Sequence, residues 1–322
     1  MEKYRSDIYT DQKSHGNSFW TRTAAVVVFA FICCFLWGSA FPCIKTGYSL
    51  FGVASDDTGS QLLFAGIRFF FAGVMVIAAG SIIQKRFLRL ERRTVPKILT
   101  LSIFQTAGQY FFFYVGLAHA SGVSSSIIEA SSTFFAILIA AFIFRTEKLT
   151  LRKVTGSILG FAGVVLVQLG GASLTFHFVL NGEGFILIST LFSAVSSSLI
   201  KRFSSNSDPV TLSGYQFILG GIMLAAAGCI SGGRLDFSGA GAAGVMLLFY
   251  MAFISAAAYT LWGILLKYNP VSRVSIFGFM NPVIGVLLSA VILGEYSQAF
   301  NLPALIALIL VSLGIIVVNQ KK

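Results

Sequence analysis

Residues 121–150, SGVSSSIIEASSTFFAILIAAFIFRTEKLT, set one carboxylate, Glu129, inside a segment otherwise fit for hydrocarbon. At helical spacing Ser125 and Ser126 stand one turn before Glu129, and Ser132 and Thr133 one turn after, so the charge belongs to a polar stripe. Ile127, Ile128, Phe134, Phe135 and Leu138 make the opposite, apolar face. A carboxylate among lipid tails is costly, so this pattern predicts a membrane-spanning helix whose acidic residue faces other helices or a wet cavity.

The apolar character extends along the whole chain. Of 322 residues 56% are hydrophobic and only 11% charged, more apolar material than a water-soluble domain of this size needs for one core. Stretches of about 20 residues, each enough to cross a hydrocarbon core, recur throughout. Ten spans are predicted near residues 24–46, 61–83, 97–118, 123–144, 151–170, 184–201, 211–230, 242–266, 274–293 and 302–319. The strand alternation of a membrane barrel is absent, so the predicted class is an all-α polytopic membrane protein with the lipid bilayer as its surroundings.

Net charge is +11, which in a soluble chain would point to nucleic acid. Here position matters more than the sum. With the N-terminus inside, the inner segments collect Lys3, Arg5, Lys13 and Arg22, the run from Lys85 to Lys97, Arg145 to Lys153, Lys201 and Arg202, Lys267 and Arg273, and Lys321 and Lys322. Only Arg234 falls in an outer loop, and Lys45 and Arg68 lie within or at the ends of spans. The positive-inside rule therefore predicts an even number of spans in the plasma membrane, with both termini cytoplasmic and no nucleic-acid partner. Residues 1–22 read as a cytoplasmic tail; the apolar run after them is too long for a cleaved signal peptide.

Cys33, Cys34, Cys43 and Cys229 read as small buried hydrophobes, although Cys43 and Cys229 both lie outward and could pair. His15, His119 and His177 form no metal spacing, and neither a cofactor nor a metal is expected.

Several residues stand out along the spans. Trp37 lies near mid-span in the first, Pro42 should kink that helix late, and Lys45 either snorkels to head groups or reaches the site. Arg68 lies about seven residues, or about 10 Å, below the outer end of the second span. An arginine keeps its proton and needs a partner or water. Glu129 enters from the same side to a similar depth, so the two either form a structural ion pair or act separately. In the third span Gln105 and Gln109 share a face with Phe112 or Phe113, and Tyr110 and Tyr114 add hydroxyls, which suits either a cavity wall or interhelical glue.

The second half repeats the first. Adding 148 maps IRFFFAGVM, from Ile67, onto YQFILGGIM, from Tyr215, and Glu147 onto Glu295. A five-helix unit is odd, so two copies in one membrane must lie in opposite orientations, as residues 23–170 and 171–322. Inverted repeats suit a transporter, whose halves exchange conformations to open a central site to one side and then the other. The repeat also exposes asymmetries: Arg68 maps to Gln216, Glu129 to Phe277 and Phe134 to Pro282. Asn281 and Pro282 should bend the ninth span and free carbonyls, while Tyr215, Gln216, Tyr259 and Trp262 could supply the second half of a cavity wall or simply pack.

The motifs LWGSAFPCIK, GIRFFFAG, FRTEKLTLRKVTGSILGFAG and FMNPVIGVLLSAVILGE, in that order and with the internal repeat, resemble the EamA type of the drug/metabolite transporter superfamily. The resemblance covers residues 24–319 and implies ten helices, alternating access and a central pocket lined by spans one to four and six to nine. It places Trp37, Gly38, Phe41 and Lys45 on the first-span motif and Arg68 on the second-span arginine. Glu147 and Glu295 match the glutamates ending the fourth and ninth spans, where a carboxylate before the next helix suits its positive end as a cap. The family proline around Phe134 is missing, and Ser193 departs from the first half's pattern.

The resulting expectation is a secondary active transporter of a small organic metabolite, an amino acid, derivative, amine or organic acid. No nucleotide-binding motif is present, and proton coupling would run through Glu129. A lipid-modifying membrane enzyme or a sensor is the alternative, disfavoured by scattered histidines and short loops.

Overall fold

The computed structural model describes residues 19–54, 56–119, 122–169, 179–293 and 302–320. Among these residues the chain forms ten helices and no strand. α1 is Thr23–Leu50 and α2 is Thr58–Ile83. α3 joins Val95–Leu101, a π-helical segment Ser102–Ala107 and Gly108–His119. α4 is Gly122–Leu138 with a π turn at Ile139–Ile143, and α5 is Leu151–Leu169. α6 opens with a π turn at Leu180–Gly184 and continues as Phe185–Phe203. α7 is Pro209–Ile230 and α8 is Phe237–Tyr268. α9 joins Val271–Ser275, a 3-10 segment Ile276–Phe279 and Met280–Leu293, and α10 is Leu302–Asn319.

Local chemistry sets the ends. Asp57, Asp208 and Asp236 cap α2, α7 and α8 by accepting from the amides of Ser60, Thr211 and Gly239 at 2.9, 3.0 and 2.9 Å. Pro209 then supplies a first helical residue whose missing N–H costs nothing. Past α1 and α7 the chain turns at Gly52 and Gly232, whose φ angles of 66° and 79° favour glycine. α1 continues through Pro42 as one helix, with the Thr46 hydroxyl donating to the Pro42 carbonyl at 3.0 Å. α8 holds one non-helical residue, Gly241, near its start.

Six of the described helical stretches are long and apolar enough to cross a bilayer: Thr23–Leu50, Thr58–Ile83, Val95–Leu117, Leu180–Phe203, Pro209–Ile230 and Phe237–Tyr268. Shorter apolar stretches are Ile128–Ile143 and Leu305–Asn319. Large apolar side chains such as Phe31, Ile82, Phe142, Ile230 and Met246 face outward, as lipid contact requires. The protein is a polytopic helical membrane protein.

The main helix contacts are preserved when α1–α5 and α6–α10 are exchanged. α2 packs on α7 and α5 on α10; α1 packs on α8 and α9, while α6 packs on α3 and α4. Glycine sets the two self-paired contacts. A Cβ on Gly66 would stand 2.3 Å from the Ala225 amide nitrogen, and one on Gly73 would stand 2.5 Å from the Gly214 carbonyl. As numbers rise along α2 they fall along the facing edge of α7, so these helices are antiparallel. Gly156 against Gly314 and Gly163 against Ala307 give α5 and α10 the same relation. Close backbone approach of this kind replaces the hydrophobic drive that lipid cannot provide.

Most of the described basic segments meet at one end of the bundle. Lys97 Nζ donates to Ser207 Oγ at 2.8 Å, Lys201 Nζ to the Lys267 carbonyl at 3.3 Å and Arg273 Nη1 to the Thr21 carbonyl at 3.2 Å. At the other end the Ser60 hydroxyl donates to the Arg234 carbonyl at 2.8 Å, and Asp236 N to the Phe51 carbonyl at 3.1 Å. All four cysteines are free thiols, so Cys43 and Cys229 do not pair.

Candidate functional site

Midway along the helices lies a cavity of about 160 Å³, walled by α1, α2, α3 and α4 from the first half and α6, α8 and α9 from the second. Room for on the order of ten waters, or one small organic molecule, follows from that volume. It gathers most of the residues singled out by the sequence: Trp37, Arg68, Gln109, Tyr110, Phe113, Glu129, Tyr259, Trp262, Asn281 and Pro282.

Each wall has a local origin. Gln105 falls in the π-helical segment of α3 and Gln109 one turn on, so both amides face inward. On α9 the 3-10 segment precedes Pro282, which has no N–H to offer the helix. Nearby carbonyls also take side-chain donors: Ser275 O accepts from Thr133 Oγ1 at 3.2 Å and Phe277 O from Cys34 Sγ at 3.2 Å. With Cys33 Sγ donating to Ala258 O at 3.3 Å, these contacts tie α1, α4, α8 and α9 together beside the cavity, toward the basic end.

An aromatic group forms one side. Trp37 stands edge-on to both Tyr259 and Trp262, ring centroids 5.0 Å apart in each case. The hydroxyls of Tyr110 and Tyr259 share a hydrogen bond of 2.6 Å between α3 and α8. Phe134, where the family pattern has proline, packs edge-on against Phe161 and Phe279 rather than bending α4.

The charges are held apart. Arg68 is 4% exposed and lies with its guanidinium carbon 4.5 Å from the Phe69 ring centroid and 5.7 Å from that of Tyr110. Ten residues separate it from the first residue of α2, or about 15 Å of helix, deeper than the span boundaries suggested. Among the described residues the ion pair is Lys153 with Glu147, so Arg68 and Glu129 are not a contact pair here. Glu129 reaches the cavity on α4 with no described hydrogen bond to its carboxylate.

Six of the thirteen buried, unpartnered side-chain polar atoms among the described residues lie at this place. Trp37 Nε1, Arg68 Nε, Gln105 Oε1, Gln109 Oε1, Ser275 Oγ and Asn281 Oδ1 are buried, find no partner within the described chain, and belong to residues that line the cavity. Each such group carries a desolvation cost of about 1–3 kcal/mol, so their convergence marks a surface built to meet another molecule or water.

Other candidates lie elsewhere. Tyr215 donates its hydroxyl to the Leu88 carbonyl at 2.8 Å, at the basic end of the bundle. Gln216 is fully buried, its Oε1 accepting from Thr106 Oγ1 at 2.7 Å between α7 and α3. Pro42 is buried within α1. The side chain of Lys45, and Glu295 altogether, lie outside the described residues. Glu147 accepts from the amide of Ser272 at 3.1 Å and from its hydroxyl, and pairs with Lys153 Nζ at 2.5 Å. The helix start it caps is therefore that of α9, not that of the adjacent α5. Ser255, Ser275 and Gly278 also line the cavity, as does Ser193. Small polar residues carry little hydropathy signal, and only the pairing of α4 with α6 and α9 brings them into view.

The EamA-like transporter family matches residues 24–169 and again 180–320. An uncharacterized transporter of Archaeoglobus fulgidus is 29% identical over 291 residues, covering 89% of this chain and 95% of its own. The uncharacterized transporter YvbV of Bacillus subtilis is 28% identical, covering 94% of this chain and 93% of its own. A Salmonella typhimurium protein named a probable amino-acid metabolite efflux pump is 26% identical, covering 81% and 84%. One solved crystal structure superposes with a TM-score of 0.75 at 19% identity over 92% of this chain and 97% of its own, which speaks to the fold alone.

Proposed function

The chain belongs to the EamA-like transporter family, and on that premise we propose that it is a secondary active transporter moving a small organic metabolite through the mid-bundle cavity by alternating access. The observation that carries this is the cavity itself, lined from both halves by unpartnered polar atoms in a protein otherwise packed with apolar side chains. Residues 23–170 and 171–322 act as two inverted five-helix repeats, giving ten spans in the plasma membrane with both termini cytoplasmic. The exchange symmetry of the packing and the antiparallel course of α2 against α7 and of α5 against α10 support that arrangement. Rocking one half against the other would open the cavity at the basic end and then at the opposite one.

Proton coupling runs through Glu129. Among the described residues no cation pairs with its carboxylate, so it can take a proton while the cavity faces one side and release it on the other. An amino acid, derivative, amine or organic acid fits the cavity, and the efflux-pump relative is named for the first of these. Reading the chain as a lipid-modifying enzyme has no support in the relatives, which are named as transporters.

Reconstitution of the purified protein into liposomes tests the coupling. Glu129→Gln should abolish uptake driven by a pH gradient while sparing counterflow of the same solute. Gradient-driven uptake that survives the substitution unchanged removes Glu129 from the proton pathway.

A further inference from the structure

Arg68 is a buried cation with nothing in the described protein to neutralise it. Its proton cannot be shed, its Nε finds no partner, and the described ion pair involves other residues. Phe69 and Tyr110 cover the guanidinium by ring contacts at 4.5 and 5.7 Å. An aromatic ring satisfies the charge through the flat face of the group and leaves its in-plane N–H donors unspent. Those donors form a fork that matches a carboxylate edge-on. The buried hydroxyls of Tyr48 and Tyr114, which neighbour each other, lie within electrostatic reach of the same guanidinium.

The counterpart position makes the contrast. Gln216 occupies the place of Arg68 in the second half and carries no charge; its amide oxygen is engaged by Thr106 at 2.7 Å, while its buried Nε2 has no described partner. Packing at that depth therefore does not by itself require an unpaired charge. Among the described residues no acceptor is left for Arg68, and the cavity is the route by which one from outside can arrive.

The surroundings narrow the acceptor's chemistry. Arg68 is the only cation among the described residues lining the cavity, which suits one negative charge and leaves a phosphate dianion short of a second partner. Glu129 on another wall would repel further negative charge. Phe113, Trp37 and the Tyr110–Tyr259 pair offer apolar area to an organic body. We propose that the transported molecule carries a single carboxylate, that Arg68 binds it edge-on, and that the aromatic wall takes the apolar part. This rests on the transporter reading above and adds the substrate's charged group to it.

Two of the three tryptophans in the chain, Trp37 and Trp262, line the cavity, so their fluorescence reports its occupancy in the purified protein. Three probes share one phenyl body: 3-phenylpropanoate, phenylalanine and 2-phenylethylamine. The two carboxylates should quench saturably and the amine should not. Arg68→Gln should weaken carboxylate binding about tenfold to a hundredfold, the range for one charge-assisted contact, and Arg68→Lys should recover part of it. Equal binding of the amine, carboxylate binding untouched by Arg68→Gln, or failure of both carboxylates to bind would each overturn the proposal. Binding is read without transport, so such a failure leaves the transporter reading to be judged by counterflow in liposomes.

Discussion

Glu147→Gln tests whether the basic end of the bundle is held shut by a specific contact. Glu147 reaches from the α4–α5 connection to Ser272 at the start of α9, taking the Ser272 amide at 3.1 Å, the Ser272 hydroxyl and Lys153 Nζ at 2.5 Å. The side chains of Glu147 and Lys153 are 9% and 16% exposed, so solvent screens this cluster only in part. Hydrogen bonds to a charged group contribute about 1.5–3 kcal/mol, and a neutral amide in the same place retains about 1 kcal/mol of that. A partly exposed salt bridge adds up to about 1 kcal/mol. The net loss is about 2 kcal/mol, and if the contact exists only when that end is closed, the open form gains about 30-fold in population. Cys33 and Cys34 report the opening, because both thiols are fully buried and bonded to the Ala258 and Phe277 carbonyls. In a chain carrying Cys43→Ser and Cys229→Ser, a membrane-permeant maleimide should label them on the order of 30 times faster after Glu147→Gln. A labelling rate within about twofold of the parent would refute the latch, since that corresponds to under about 0.5 kcal/mol.

Other outcomes follow from single contacts. Gly66→Ala places a methyl 2.3 Å from the Ala225 amide nitrogen and should lower stability by about 1–3 kcal/mol, read by thermal unfolding in detergent. Gly263→Ala, whose Cβ would meet its nearest neighbour at 3.6 Å, should instead be neutral or stabilising by up to about 1 kcal/mol. Thr106→Val leaves the buried Gln216 Oε1 without its donor and should cost about 1–3 kcal/mol in the same assay. Asp57→Ala removes the cap of α2 and should speed amide exchange at Ser60 about fivefold, for about 1 kcal/mol. The Ser60 side chain and amide hold the Asp57 carboxyl below the usual carboxylate range. Because the folded value is the lower one, the cap's contribution is present above that range and fades as pH falls through the depressed value.

Helix positions were legible because lipid imposes length and apolarity on every span. The predicted 61–83 and 211–230 compare with Thr58–Ile83 and Pro209–Ile230, and the extra residues are the capped first turns. The span 242–266 compares with Phe237–Tyr268, whose break at Gly241 marks the boundary the hydropathy saw. The site was legible in part. Gln105, Gln109, Tyr110 and Glu129 stood out as polar groups in apolar helices, and all four line the cavity. Equal depth suggested that Arg68 and Glu129 could pair, but depth says nothing of direction around the helix axis, and the two stand on separate walls of the same cavity without a described ion pair. Tyr215 and Gln216 have the same polar character yet meet Leu88 and Thr106 instead, contacts between α7 and segments about 110 to 130 residues away that no local pattern encodes. Glu147 caps a helix start 125 residues along the chain for the same reason.

The most direct test of alternating access needs no knowledge of the solute. Ser132 lines the cavity on α4 beside Glu129, so Ser132→Cys, in a chain with its native cysteines replaced, places a thiol at the centre. In sealed vesicles of known orientation a membrane-impermeant thiol reagent is added to one face or the other. The thiol should react from either face. Reaction from one face only, under every condition in which the protein is folded, would contradict a cavity that opens to both sides.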